Sequence, residues 1–118
     1  DREKGDNMPN RSKEKGNRFE RYIVSRCEQT DIPSKRAWGS NGMSLGLPEE
    51  VDVLIDGVVR VQAKCRHRLP AYILPSPDID MQVIKQDRGE TMVVMRFDDW
   101  LVDYRRLMEL EGRFGDES

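Results

Sequence analysis

The sequence predicts an α/β fold, a central mixed β-sheet flanked by helices, and three observations carry that expectation. Phe19, Ile23 and Cys27, with Tyr22 and Val24 beside them, recur at helical spacing. Val51, Val53 and Ile55 alternate with Asp52 and Leu54, and beyond Asp56-Gly57 the alternation resumes in Val59, Val61 and Ala63. Thr91 to Phe97 is rich in Val and Met, and Trp100, Leu101, Tyr104, Leu107 and Met108 follow at helical spacing.

Taken in order, residues 1–12 are polar, bear glycine and asparagine and lack aromatics, which predicts a flexible arm. An amphipathic helix is expected from Lys13 to about Gln29, closed by Pro33. Ser34 to Trp38 predicts a short strand, and the segment with Gly39, Ser40, Asn41, Gly42, Gly46 and Pro48 a flexible loop. The two alternating runs form a hairpin. Arg66 to Ser76, with Pro70 and Pro75, reads as a loop, and Ser76-Pro77-Asp78 as the start of a helix over Ile79 to Asp87 that Gly89 ends. Thr91 to Phe97 predicts a buried strand, and Asp98-Asp99 the cap of a last helix ending near Gly112. A single domain is expected over residues 13–112, followed by an acidic tail at 113–118.

Apolar and charged residues each make up 36% of the 118 residues, so the core is modest for the length and invites a partner chain. A net charge of −2, taken alone, argues against a nucleic-acid binder. The distribution matters more. Arg11, Lys13, Lys15, Arg18, Arg21, Arg26, Lys35 and Arg36 crowd one stretch, and Arg60, Lys64, Arg66, His67 and Arg68 another, while acid gathers toward the C-terminal end. Two such runs yield either a one-sided positive face or ordinary solvated charge. Cys27 and Cys65 lack companions at zinc-site spacing, so free thiols in a reducing compartment are expected. No apolar run is long enough for a membrane span or secretory segment, which predicts an intracellular protein with no membrane partner.

The hairpin gathers the residues able to do chemistry. Gln62 and Lys64 stand two apart on a strand and share a face. With Val51, Val53, Ile55, Val59, Val61 and Ala63 turned inward, Asp52 joins them on the other face. A two-residue turn at Asp56-Gly57 breaks that match, whereas a three-residue loop Ile55-Asp56-Gly57, a type I turn closed by Gly in αL, restores it. Phosphodiester hydrolysis requires cations beside the scissile phosphate, a generated hydroxide and stabilisation of developing charge. Asp52, the amide oxygen of Gln62 and the Ala63 carbonyl can bind a hard divalent ion, and Lys64 can orient or deprotonate a water. Glu20 adds a second carboxylate if the first helix packs beside the hairpin. Each residue also has a plainer reading: solvent-facing strand residues for Asp52 and Lys64, a surface helix carboxylate for Glu20, a turn residue for Ser40, a loop residue for His67, and core or interface for Trp38 and Trp100.

Order across the chain separates these readings. Lys15-Gly16-Asn17-Arg18-Phe19-Glu20-Arg21 resembles the KGxxxE opening helix of archaeal-type Holliday-junction resolvases, a family of the PD-(D/E)xK nuclease superfamily. Arg36-Ala37-Trp38-Gly39-Ser40 resembles their next strand and serine-bearing loop, Glu50 to Ile55 their PD-type strand, and Val61-Gln62-Ala63-Lys64 their ExK strand. The similarity runs from about Lys13 to Arg68. It implies a PD-(D/E)xK nuclease-like fold, a homodimer, and Mg²⁺- or Mn²⁺-dependent cleavage of four-way DNA junctions. Glu20, Asp52, Gln62 and the Ala63 carbonyl are the implied metal ligands, Lys64 the catalytic cation, and Ser40 a group near phosphate. Phosphate contacts are expected from Arg11, Lys13, Lys15, Arg36, Ser40, Arg66, His67 and Arg68. Two departures stand out: Pro48 does not directly precede Asp52, and Gln62 replaces the usual acid, removing a charge from the metal site unless Glu49 or Glu50 compensates. Other superfamily relatives carry glutamine there, so activity is still expected. The competing functions are another nuclease of the superfamily, acting on flapped or duplex DNA, and a DNA-binding module that keeps the fold without cleaving.

Overall fold

The computed structural model describes residues 2–37 and 41–113, with side chains from Arg11 onward. It is mixed α/β, with two helices and two small antiparallel sheets. Among the described residues no strand pair is parallel, so two antiparallel sheets stand where the sequence predicts one mixed sheet. The chain divides into two compact units, Asp1–Cys65 and Arg66–Ser118, where its length predicts one domain.

In the first unit α1 runs from Arg2 to Gln29 and so begins well before Lys13, through residues whose composition predicts an arm. Its end is specified locally. Asp31 takes the left-handed conformation at φ 61°, its N–H donates to the Glu28 carbonyl, and the Ile32 N–H donates to the Cys27 carbonyl at 2.8 Å. Ile32 thereby folds back under the helix, almost fully buried, and Pro33 prevents continuation.

Strands β1 (Ser34–Arg36), β2 (Val53–Ile55) and β3 (Val59–Val61) form an antiparallel sheet in that order. Helix α1 packs on β1 and β2. Ile23 and Cys27 of the helix are buried with Ile32, Ala37, Val51, Val53 and Ile55, whereas Val59, Val61 and Ala63, which the alternating pattern also turns inward, are only half-buried. Ile55 pairs with Val59 and Val53 with Val61, so the hairpin loop is Asp56-Gly57-Val58, one residue on from the expected Ile55-Asp56-Gly57. Asp56 and Gly57 both have positive φ, at 56° and 70°, so the turn is of the primed kind, whose twist suits a hairpin, and not type I. Either three-residue loop keeps the same strand parity, so the apolar face is unchanged.

In the second unit, β4 (Met81–Lys85) pairs with β5 (Thr91–Met95) as a two-stranded ribbon. The sequence predicts a helix over Ile79 to Asp87, and the structure corrects it to a strand. Five residue pairs from Met81↔Met95 to Lys85↔Thr91 supply a partner that local helix signals cannot anticipate. Arg96 ties the approach to β4, donating to the Ile79 and Ser76 carbonyls, both at 2.9 Å. The predicted burial of Thr91 to Phe97 is also corrected: Thr91, Met92 and Val93 are exposed, and Val94, Met95 and Phe97 half-buried. Helix α2 spans Phe97–Leu110 with Arg96 at its N-cap, so Asp98 and Asp99 lie inside the first turn, where they complement the helix dipole but do not cap it. Leu101 and Met108 are its buried residues, and Phe97, Trp100 and Tyr104 stack along it with ring centroids 5.9 and 4.8 Å apart. Gly112, at φ 75°, closes the helix as expected.

Candidate metal and phosphate site

One end of the three-stranded sheet collects the chemically capable residues of the first unit. There β1 finishes at Arg36 and Ala37, β2 is approached through Val51 and Asp52, and β3 runs out into Gln62, Ala63 and Lys64. Asp52 is fastened on both sides. Its carbonyl accepts the Ala37 N–H at 2.9 Å, its N–H donates to the Val61 carbonyl at 2.8 Å, and its carboxylate Oδ2 accepts the Ala63 N–H at 2.8 Å. A side-chain oxygen therefore stands where a regular ladder would place a backbone carbonyl, and it points the carboxylate at the Gln62-Ala63-Lys64 backbone.

The approach to Asp52 is itself ordered, where glycine content predicts a flexible loop. Gly42–Leu45 forms a short 3₁₀ turn whose Asn41 side chain accepts the Met43 N–H at 2.9 Å. The Leu47 N–H returns to the Gly42 carbonyl at 2.9 Å. A Cβ on Gly42 would lie 2.1 Å from the Pro48 carbonyl oxygen and 2.9 Å from Val51 Cβ, so only glycine allows this approach. Gly42 thus holds the segment that delivers Asp52, a role its place in a glycine-bearing loop hints at only faintly.

Glu20 is on the buried face of α1, 4% exposed, one turn before Ile23 and two before Cys27. Packing of α1 against β1 and β2 brings it to the sheet, as the sequence requires for a second carboxylate. Its Oε1 accepts from Arg36 Nε at 3.2 Å and Nη2 at 3.0 Å, and the same Nη2 donates to Asn17 Oδ1 at 3.1 Å. Arg36, expected at phosphate, is here turned onto the helix. Nothing in the sequence pattern pairs these residues, because they meet only through the docking of α1.

Gln62, Ala63 and Lys64 lie beyond the end of β3 at Val61 and not on the strand that the alternation predicts; Gln62 and Lys64 are exposed and Ala63 is half-buried. Gln62 lines a surface hollow of about 250 Å³ together with Pro48, Glu50, Val51, Arg60 and Val61. Of the expected phosphate contacts, Arg11 and Lys13 are exposed on α1 and Lys15 is half-buried there. Arg66, His67 and Arg68 are exposed at the start of the second unit. Ser40 and Trp38 lie outside the described residues, as do residues 114–118 of the expected acidic tail. Cys27 and Cys65 are free thiols, and burial pushes the Cys27 thiol pKa up, which suits a packing role over a reactive one.

The oxygen donors at this end are the Asp52 carboxylate, the Gln62 amide and the Ala63 carbonyl, while the Glu20 carboxylate lies on the α1 side against Arg36. Their chemistry fits a hard divalent cation, with the condition that Glu20 is already engaged by a guanidinium. Among the described residues no group of three or more His, Cys, Asp or Glu comes together, so the set depends on amide and carbonyl oxygens. No family model matches the chain, and neither a curated protein nor a solved structure matches it.

Proposed function

We propose that this chain is a metal-dependent DNA endonuclease that hydrolyses phosphodiester bonds in branched DNA, the four-way Holliday junction foremost. The observation that carries the reading is the triply fastened Asp52, whose carboxylate is locked to the backbone of the Gln62-x-Lys64 segment. A carboxylate fixed just before β2 and a lysine in the segment that follows β3, with Glu20 on the helix packed against the same sheet, are the parts that hydrolysis of a phosphodiester uses.

Glu20, Asp52, the Gln62 amide and the Ala63 carbonyl are the groups that would hold Mg²⁺ or Mn²⁺. When bound, such an ion supplies activation of water and neutralisation of charge on the phosphate. Asp52 contributes a fixed anion whose orientation costs nothing at the moment of reaction, since its backbone bonds have already set it. The Lys64 ammonium, on the exposed face with Gln62, orients the attacking water and balances the charge that develops on the phosphoryl oxygens. Arg11, Lys13, Arg66, His67 and Arg68 are exposed and available to phosphates.

A homodimer belongs to the same proposal, because a four-way junction presents two symmetry-related strands and closed two-fold pairing is the commonest way to meet them. Among the described residues no helix is long and apolar enough to cross a membrane. The test is incubation of the purified chain with Mg²⁺ or Mn²⁺ on junction, flap and linear duplex. Paired nicks confined to the junction are expected. Cutting of flap or duplex alone moves the protein to another structure-selective nuclease, and tight binding without cleavage to a DNA-binding module.

A further inference from the structure

We propose that Lys35 and Arg60 form a phosphate-binding row across the open face of the first sheet, and that the DNA strand to be cut lies over that row beside Asp52. The inference rests on the nuclease reading above and adds to it the face on which the DNA backbone is held.

The sheet register makes the row. Lys35 of β1 is opposite Leu54 of β2, and Leu54 is opposite Arg60 of β3, so three strands set two cations and a leucine in a line across the sheet. Alternation then chooses the face. Val51, Val53 and Ile55 are buried on the side against which α1 packs, which turns Asp52 and Leu54, both half-buried, to the other side. Lys35 and Arg60 are exposed there. Each basic run of the sequence thus contributes a member to one face, a meeting that charge counting alone leaves undecided.

The neighbouring cation on β1 behaves differently. Arg36 faces α1, where its guanidinium donates to Glu20 and Asn17. Lys35, one residue earlier and on the opposite face, has no such tie: among the described residues neither it nor Arg60 takes part in an ion pair or a side-chain hydrogen bond. The phosphate contact expected of Arg36 therefore falls to Lys35. Two strand spacings, about 10 Å, separate Lys35 from Arg60, a span of about three phosphates of one DNA strand at about 3.4 Å of axis each. Arg60 also lines the hollow that Gln62 lines, so the row reaches the edge of the candidate site. A phosphate near Asp52 is repelled by its carboxylate, and two cations on the same face offset that repulsion.

Cations that merely guard the edge strands β1 and β3 predict something else: solubility or stability would change on their removal, and DNA affinity would not. The test is binding of the full chain to a four-way DNA junction without divalent metal, followed by fluorescence anisotropy over a range of salt. Each lost phosphate contact removes about 0.9 from the slope of log affinity against log salt, so Lys35→Gln with Arg60→Gln should make the slope shallower by about two. Lys85→Gln with Arg88→Gln, equally exposed cations of the second unit, should leave it unchanged. Lys35→Arg with Arg60→Lys should keep the wild-type slope, which separates lost charge from a disturbed fold. An unchanged slope in the Lys35→Gln, Arg60→Gln pair, an equal fall in the control pair, or a fall in the charge-preserving pair overturns the inference. If the chain still nicks the junction once Mg²⁺ is supplied, the nuclease stands with its DNA on another face, whereas no junction binding by wild type removes both.

A second measurement needs no variant. Amine labelling of the wild-type chain, read by mass spectrometry, should find Lys35 shielded by bound junction DNA and Lys85 labelled as before. A Lys35 amine that labels equally with and without bound junction overturns the row.

Discussion

Residues 1–65 and 66–118 use the same kind of apolar alternation to opposite effect. In the first unit it closes a core: Val51, Val53 and Ile55 are buried beneath α1 together with Ile23, Cys27 and Ile32. In the second, Leu101 and Met108 are the fully buried apolar residues among those described, and the ribbon leaves Met81, Val83, Met92 and Val93 exposed. The difference follows from what each sheet can lean on. Three strands with a helix across one face are self-sufficient, whereas a two-stranded ribbon with apolar residues on both faces is marginal by itself. The candidate chemistry is in the unit with the core, where Asp52 can be held by three bonds. The other unit offers surface instead.

The largest effect should come from breaking that assignment of chemistry to the first unit. Asp52→Asn or Lys64→Ala is expected to lower junction cleavage by about a hundredfold or more, while DNA affinity changes little, since neither residue is a principal phosphate dock. Asp99→Asn in the second unit, an exposed carboxylate in the first turn of α2, should leave cleavage near wild type. Single-turnover kinetics alongside binding titrations separate the two. Equal losses at Asp52 and Asp99 would dissolve the contrast between the units.

Stability should divide the same way. Ile55 is fully buried and Val83 is 63% exposed. Ile55→Ala is expected to cost about 2–5 kcal/mol, and Val83→Ala about 0.5 kcal/mol or less, both read from urea unfolding. A Val83→Ala cost as large as that of Ile55→Ala, growing with protein concentration, would mean that the ribbon is covered in solution by a second copy.

Much of this division was legible in the sequence, and what was missed has identifiable causes. Phe19, Ile23 and Cys27 announce α1, and the two alternating runs announce the hairpin down to its strand parity, because each pattern is local and strongly periodic. The start of α1 at Arg2 was not, since Gly5, Pro9 and the asparagines nearby carry no apolar period. Strand β4 reads as a helix because Ile79 and Val83 stand four apart behind a Ser-Pro-Asp start signal, while its five pairs with β5 are invisible to local rules. At the site, Asp52, Gln62 and Lys64 come from pattern alone. The grip of Arg36 on Glu20 spans sixteen residues and exists only after α1 has docked.

Oligomerisation sharpens the comparison from the other side. Of the apolar residues in the last strand and α2, Leu101 is fully buried within the protomer and cannot contribute to a dimer surface. If a dimer forms, the exposed pair Val83 and Val93 on one face of the ribbon is the better candidate. Val93→Lys should then shift sedimentation at micromolar concentration from dimer toward monomer while leaving Tm nearly unchanged. A dimer that persists in Val93→Lys places the interface elsewhere.

The smallest effect concerns Gln62, the residue by which the first unit departs from the pattern that it resembles. Gln62→Glu keeps the reach of the side-chain oxygen and adds the negative charge a hard cation prefers, so cleavage should persist and half-maximal activity should move to lower Mg²⁺. Glu50 lines the same surface hollow and makes the outcome informative. If Glu50 already supplies charge near the amide, the shift should be slight, and Glu50→Gln in the Gln62→Glu background should restore a wild-type requirement. If the new carboxylate is instead crowded by Asp52 and Glu50, mutual repulsion will raise a carboxyl pKa and the benefit will be confined to higher pH. A Mg²⁺ titration at two pH values distinguishes these cases. Loss of cleavage in Gln62→Glu with its fold and DNA affinity intact would mean that the amide is required to be neutral, and would set this sheet end apart from sites built on three acids.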